Sequence, residues 1–269
     1  MPVAAPLTAY IEGIGILGPG FSDWPSAAAI LSGAAAYNAS RTVVPAPTSL
    51  PPAERRRTGT VVKLALAIGF EATMRARIDT STLPTVFTSS GGDGDNCHAI
   101  CQVLASSDRQ LSPTRFHNSV HNVAAGYWGI AAKAPAAANV LCAFDASFVA
   151  GLLEALTQVV VERTPLLLLA YDTQYPQPLH AKRPISDAFG VAFVLAADRR
   201  PAAIAELTAV PTERAADRMS DPDMEALRLS IPAARSLPLL RKLALRERSR
   251  VTLDYLPHTR LDVEVAPCA

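Results

Sequence analysis

The sequence predicts an α/β fold built on a mostly parallel β-sheet that helices cover on both faces. The strongest strand candidates are continuous apolar runs, as in strands buried on both faces, and helical stretches separate them along the chain. The chain has 269 residues, of which 49% are hydrophobic, so it can bury a large core. These observations set the fold class.

The first half of the chain alternates strands and helices. A strand over residues 7–17 begins by alternating and becomes continuously apolar before Gly18-Pro19-Gly20. Residues 60–76 carry apolar side chains at helical spacing on most sides, which predicts a buried helix. The other elements are a helix at 24–31, a proline-rich connection at 43–53, a strand at 85–89, a glycine-rich turn at 91–94 and a helix at 96–106.

The rest of the chain continues this order. A helix of small apolar residues at 119–132 precedes a buried strand at 139–143, which enters another apolar helix through a tight turn. Strands are predicted at 166–171, 188–196 and 202–210, helices at 221–229 and 235–245, and a closing hairpin at 250–254 and 261–265. We therefore predict a core domain at 1–200 and a C-terminal extension at 201–269 that packs on the same core.

Charge and hydropathy exclude several classes of function. Lys and Arg number 25 against 24 for Asp and Glu, so the net charge of +1 gives no reason to expect nucleic acid or an anionic membrane. No apolar run reaches the roughly 18 residues that span a bilayer, and the N-terminus lacks a signal-peptide pattern. The sequence predicts a cytoplasmic protein without a membrane span or a nucleic-acid partner.

Candidate metal and phosphate sites are incomplete. Cys97, His98 and Cys101 lie close in sequence, but no second pair at zinc spacing accompanies them, so they fit small residues on a helix face. His117 and His121 are four residues apart, but no glutamate joins them. The glycine-rich turn lacks a complete phosphate-binding motif. We predict no metal and no cofactor.

The turn after the strand at 139–143 resembles a known type of active-site turn. It reads Ala143-Phe144-Asp145-Ala146-Ser147, and it resembles the nucleophile elbow of β-ketoacyl synthases, which have the thiolase-like fold. In that family the elbow holds a Cys that forms the acyl-enzyme. Aligning the following helix puts Asp145 on the Cys position and Ser147 on a nearby small polar position. A carboxylate cannot form a thioester, so the resemblance implies that this site has no catalytic residue.

The resemblance spans roughly residues 8 to 198. Four other segments also resemble motifs of the family: Ile11-Glu12-Gly13-Ile14-Gly15, Thr88-Ser89-Ser90-Gly91-Gly92, the segment from Asn118 to Gly126, and Arg183-Pro184-Ile185. After residue 198 no segment resembles the two histidine motifs of complete ketosynthases. The nucleophile and the histidines of a ketosynthase act as one catalytic unit, and an enzyme that lacks members of such a unit retains little activity. The chain alone is therefore not expected to catalyse condensation.

Within this family, chain-length factors lack the Cys and pair with an active ketosynthase. The chain resembles a short group of such proteins, found with aryl-polyene-type pathways. The resemblance implies a silent subunit of fatty-acid or polyketide-type biosynthesis that forms a heterodimer, or a homodimer without its ketosynthase partner, and meets acyl carrier protein through the complex. Ketosynthases dimerise through the strand before the elbow, which assigns interface roles to Asn139, Val140, Leu141 and Cys142, with Asn122 on the flanking helix. The side chains expected to line the acyl tunnel are Phe116, Val120, Phe144, Asp145 and Ser147.

Other interpretations stay open at this point. One is a homodimer that binds an acyl or aromatic ligand without a ketosynthase, and another is an acyltransferase or hydrolase that uses His117, Asp145 or Ser147. Asp145 also fits a helix cap. The basic residues near 241–250 fit a solvated helix end or a docking surface for an acidic carrier protein.

Overall fold

A computed structural model describes residues 5–268 of the chain. The strands are β1 (Leu7–Leu17), β2 (Thr85–Thr88), β3 (Ala138–Leu141), β4 (Leu166–Asp172), β5 (Phe189–Ala196), β6 (Ala205–Thr212), β7 (Ser249–Leu253) and β8 (Arg260–Pro267). The helices are α1 (Trp24–Leu31), α2 (Pro52–Arg55), α3 (Thr60–Ala76), α4 (Gly94–Ala105), α5 (Pro113–His117), α6 (Val123–Ala132), α7 (Ser147–Glu162), α8 (Leu179–Lys182), α9 (Pro222–Ser230) and α10 (Leu237–Leu245). The strands form one sheet in the order β3-β2-β4-β5-β1-β6-β8-β7.

The sheet is mixed. β2 runs parallel to β3 and β4, whereas the other neighbouring strands of the described chain pair antiparallel. The predicted α/β class with a helix-covered sheet is confirmed, but the prediction of a mostly parallel sheet is wrong. A continuous apolar run reports burial on both faces of a strand and not its direction. β4 and β5 are buried along their whole length and still pair antiparallel.

Helices cover both faces of the sheet. Alternate residues of β4 enter two core clusters, with Leu168 in one and Leu169 in the other. The cluster of Leu169 contains α3 and α6, and the cluster of Leu168 contains α1, α7 and α10. By length and composition one described helical stretch, Phe144–Glu162, could cross a membrane, but half of it is buried here. Its apolar residues pack against the sheet, so burial in the core accounts for its composition.

Two glycines of β1 let α3 lie directly on the strand. A Cβ atom on Gly13 would lie 2.1 Å from the carbonyl oxygen of Ala72, and one on Gly15 would lie 2.0 Å from that of Ile68. Both distances are far below van der Waals contact, so only glycine fits. This contact fixes the helix beneath the centre of the sheet.

The segment after residue 201 completes the sheet. β6 pairs with β1, and the hairpin of β7 and β8 follows. Leu207, Val251 and Val263 belong to the same core cluster as Ile14 of β1. The proposed boundary at residue 201 therefore falls between β5 and β6, which lie on either side of β1.

The two edges of the sheet differ. Beside β7, Asp217 donates its backbone N–H to the carbonyl of Thr252 and accepts the Thr252 N–H with its side chain, both at 2.8 Å. At the opposite edge, Ala138 and Asn139 of β3 are exposed. The predicted buried strand at 139–143 is therefore wrong for the single chain, because among the described strands β3 has only β2 as a neighbour. One edge is therefore covered at Thr252, and the other is open.

Candidate functional site

The chain turns sharply between β3 and α7. A 3₁₀ segment, Phe144–Ala146, joins them, and Phe144 has a φ of 52°. This left-handed conformation is uncommon for a bulky side chain and is tolerated where the surrounding structure enforces it. Hydrogen bonds across the turn do so, because Ala146 N–H donates to the carbonyl of Ala143 at 2.9 Å. Phe144 therefore stands at the tip of the elbow.

Ser147 anchors the elbow from inside. Its side chain is 2% exposed, and its oxygen accepts the N–H of Ala143 at 3.0 Å. The hydroxyl lies 2.7 Å from the carbonyl of Phe144 and 3.1 Å from that of Ser89, so its single proton has two acceptors. The Ser147 hydroxyl therefore forms hydrogen bonds with backbone groups. Its predicted place in the wall of an acyl tunnel stays a prediction.

Asp145 binds two arginines. Arg183 donates to one carboxylate oxygen at 2.8 Å, and Arg235 donates to the other at 3.3 Å. The Arg183 guanidinium also lies 3.7 Å from the ring centroid of Phe144, a cation–π contact. The helix-cap interpretation of Asp145 is wrong, because α7 begins at Ser147 and no side chain caps it. Asp145 instead holds two cations at the elbow.

The hydrolytic arrangement is not assembled. His117 is exposed at the end of α5, and in the described chain no hydrogen bond joins it to Asp145 or Ser147. Since Asp145 faces arginines and the Ser147 hydroxyl faces backbone oxygens, the geometry gives neither a base nor a free nucleophile. Cys142 is exposed just beyond β3, and its Sγ donates to the carbonyl of Ser90 at 3.3 Å.

The helix predicted at 119–132 begins later, at Val123, and α5 is a separate helix. Asn118 lies just after α5, and its side chain is buried. That side chain donates to the carbonyl of Arg57 at 2.8 Å and accepts from Tyr127 at 3.3 Å. His117 and His121 therefore do not share a helix. Among residues 5–268 no group of three or more His, Cys, Asp or Glu side chains is placed to hold a metal ion.

Three of the predicted tunnel residues are exposed apolar side chains. Phe116 is 67% exposed, Val120 50% and Phe144 61%. Asn122 is also exposed, immediately before α6. Large exposed apolar side chains mark contact surfaces when they cluster. Their roles in a tunnel or an interface stay predictions.

A buried carboxylate lies behind the elbow. Asp172, at the end of β4, accepts the Ser90 N–H at 2.8 Å, the Ser90 hydroxyl at 2.5 Å and the Ala233 N–H at 2.8 Å. Burial raises the pKa of Asp172 to about 6, although these hydrogen bonds and Arg183 oppose the rise. Asp172 therefore ties the loop after β2 to the 3₁₀ segment Pro232–Ser236, which carries Arg235.

Two residues of the site, Asp172 and Arg235, were not predicted from the sequence. A carboxylate that directly ends an apolar run was a usable signal for Asp172. Arg235 gave none, because it lies 90 residues from Asp145 along the chain.

We expect Asp172 to make the protein less stable as pH rises from about 4 to about 6. In this window folded Asp172 keeps a proton that the unfolded chain, with a pKa near 3.8, has lost, so the folded state binds more protons. The contribution is roughly 2 to 3 kcal/mol. Denaturant unfolding between pH 4 and pH 7 measures it against Asp172→Asn, which cannot titrate. The same pH slope in both proteins would contradict the assignment.

A family model described as "Beta-ketoacyl synthase, N-terminal domain" matches residues 24–253. A search of curated proteins finds no match.

Solved structures share the fold. One chain of the structure "Ketosynthase (ApeO) in Complex with its Chain Length Factor (ApeC) from Xenorhabdus doucetiae" aligns with a TM-score of 0.72 at 24% identity, covering 96% of this chain and 99% of that chain. A chain of "The ishigamide ketosynthase/chain length factor" gives 0.70 at 14% identity, covering 97% and 100%. A chain of a complex of AntDE with AntF, described as a type II PKS acyl-carrier protein with its ketosynthase bound to the hexaketide, gives 0.75 at 10% identity, covering 98% and 100%. The likeness confirms the ketosynthase-like fold.

Proposed function

The chain belongs to the β-ketoacyl synthase family, and from this we propose that it is a catalytically silent, chain-length-factor subunit. It pairs with an active ketosynthase in the cytoplasm and shapes the acyl tunnel of its partner in fatty-acid or polyketide-type biosynthesis, of the aryl-polyene kind. The elbow carries this proposal. It keeps a strained strand-to-helix turn but presents Phe144 and Asp145, which cannot form a thioester.

Backbone geometry supports Phe144 as the residue at the nucleophile position. In nucleophile elbows the reactive side chain sits on the strained residue of the turn, and here the positive φ belongs to Phe144, one residue before Asp145. In either alignment no thiol occupies the position. The half-exposed ring of Phe144 then projects where a nucleophile would project.

The open edge of β3 supports pairing with a partner. The carbonyls of Ala137 and Leu141 accept the N–H groups of Thr85 and Ser89 on the β2 side. Because backbone groups alternate along a strand, those of Ala138 and Val140 face outwards. A partner strand that binds there would continue the sheet, with the interface residues Asn139, Leu141 and Cys142 alongside.

Three exposed apolar side chains support the tunnel role. We propose that Phe116, Val120 and Phe144 enter the partner's tunnel, where bulky side chains limit the length of the growing acyl chain. Acyl carrier protein reaches the complex through the active partner.

We expect the chain to co-purify in a one-to-one complex with a Cys-containing ketosynthase when the two are co-expressed. The pure chain should not elongate acyl carrier substrates, because the elbow lacks a thiol and no decarboxylating histidines are recognisable. Asp145→Cys and Phe144→Cys should both stay inactive for the second reason. Elongation by the pure chain, or a covalent acyl adduct seen by mass spectrometry, would contradict the silent role. A stable homodimer that ignores every ketosynthase tested would favour a separate ligand-binding protein.

A further inference from the structure

An open cleft of about 450 Å³ lies beside the elbow. Its lining includes four charged residues, Asp145, Lys182, Arg183 and Arg235. It also includes the apolar side chains of Phe144 and Leu229, which are 61% and 64% exposed. The cleft thus places cations next to apolar surface that solvent reaches.

Positive charge is in excess in this cleft. Lys182, Arg183 and Arg235 face a single lining carboxylate, Asp145. Asp172, buried behind Arg183, adds a second negative charge when ionised, and the sum of the five groups is still positive. An anion that enters the cleft therefore meets a favourable potential.

The arginines also have hydrogen-bond donors to spare. Each gives one terminal nitrogen to Asp145, and Arg235 does so at a long 3.3 Å. The Nε atom of Arg183 is buried and has no hydrogen-bond partner, so the donors left for a ligand are the other terminal nitrogens of the two guanidinium groups. A guanidinium presents five donors in a planar fork that matches carboxylate and phosphate oxygens.

We propose that this cleft binds a small amphiphilic anion, with a carboxylate or phosphate head on the two arginines and an apolar body against Phe144 and Leu229. The Phe144 ring, stacked under Arg183 at 3.7 Å, joins the two halves of the site. Asp145 occupies part of the head-group position and competes with the ligand. All lining residues belong to this chain, so the isolated chain is expected to bind the ligand, and a partner whose tunnel takes up Phe144 would compete with that binding.

Isothermal titration calorimetry of the full chain tests the proposal with four probes. Octanoate and octyl phosphate carry both features, octanol lacks the charge, and inorganic phosphate lacks the apolar body. We expect saturable binding of at least one amphiphilic anion, with both single-feature probes at least about tenfold weaker. The tighter of octanoate and octyl phosphate identifies the head group. Equal or absent binding of all four probes would overturn the site.

Variants separate this site from general charge effects. Arg235→Gln should weaken binding of the tighter probe at least about tenfold, while Arg241→Gln, on α10 and outside the cleft, should not. Asp145→Asn should strengthen binding about threefold or more, because it removes the competing carboxylate. If Asp145 were needed only to hold the arginines in place, the same change would weaken binding, and that result would contradict the proposal. Circular dichroism checks that each variant is folded.

Discussion

Replacing Gly15 with alanine is expected to unfold the protein or to lower its free energy of unfolding by more than about 3 kcal/mol. The new Cβ would lie 2.0 Å from the carbonyl oxygen of Ile68 and 3.0 Å from the backbone nitrogen of Ala72. Both atoms belong to the backbone of α3, so the clash cannot be relieved by rotating a side chain. The helix must leave the sheet. Typical domains are stable by only about 5–15 kcal/mol, and denaturant titration followed by circular dichroism measures the loss.

Gly126→Ala is the matched control. Gly126 is exposed within α6, and nothing lies within 4 Å of a Cβ built there. Alanine in a helix interior is favoured over glycine by about 0.5–1 kcal/mol, so this variant should be more stable than the wild type. A Gly15→Ala protein as stable as the wild type would show that α3 does not lie so close to β1.

Ala138→Pro is expected to abolish association with a ketosynthase while leaving the single chain folded. The N–H of Ala138 faces the open edge of β3, and proline removes it without touching a bond to β2. The proline ring also blocks the approach of another strand. Co-purification measures the complex, and we expect a loss of at least about a hundredfold in affinity, as for a central interface position.

Ala138→Ser keeps the N–H and the small side chain, so it should retain the complex. Val140 and Leu141 are poorer positions for this test, because both are half-buried and pack against the core. A charge there would weaken the fold and the interface together. Normal co-purification of Ala138→Pro would remove β3 from the interface.

Local signals were sufficient to predict several elements with their bounds. α3 follows from apolar spacing on most of its sides, and α1 has the bounds predicted for it. The structure adds that Asp23 caps α1, because its carboxylate accepts the Ser26 N–H at 2.9 Å. Strand direction was not readable, because β4 has the same apolar run whether its neighbour is parallel β2 or antiparallel β5. Periodicity reports the environment of a side chain, while direction depends on distant parts of the chain.

In the candidate site too, local motifs were predictable from the sequence and contacts between distant residues were not. The elbow and Arg183 were recognisable as short motifs, but the link from Asp145 to Arg235 joins residues from separate parts of the chain. The positive φ of Phe144 was also hidden, since any sequence-based expectation for phenylalanine favours negative φ. Tertiary contacts impose that conformation.

The unequal edges of the sheet limit how large an assembly can become. Asp217 occupies the outer side of β7 at Thr252, so a strand that approached there would have to displace it, whereas no described strand lies beyond β3. A sheet open at both ends adds subunits without limit and grows into a fibre, whereas a sheet open at one end is used up by a single contact. Whether the other molecule is a ketosynthase or a second copy of this chain, strand addition is therefore favoured at β3 alone, and we expect a stoichiometry of two.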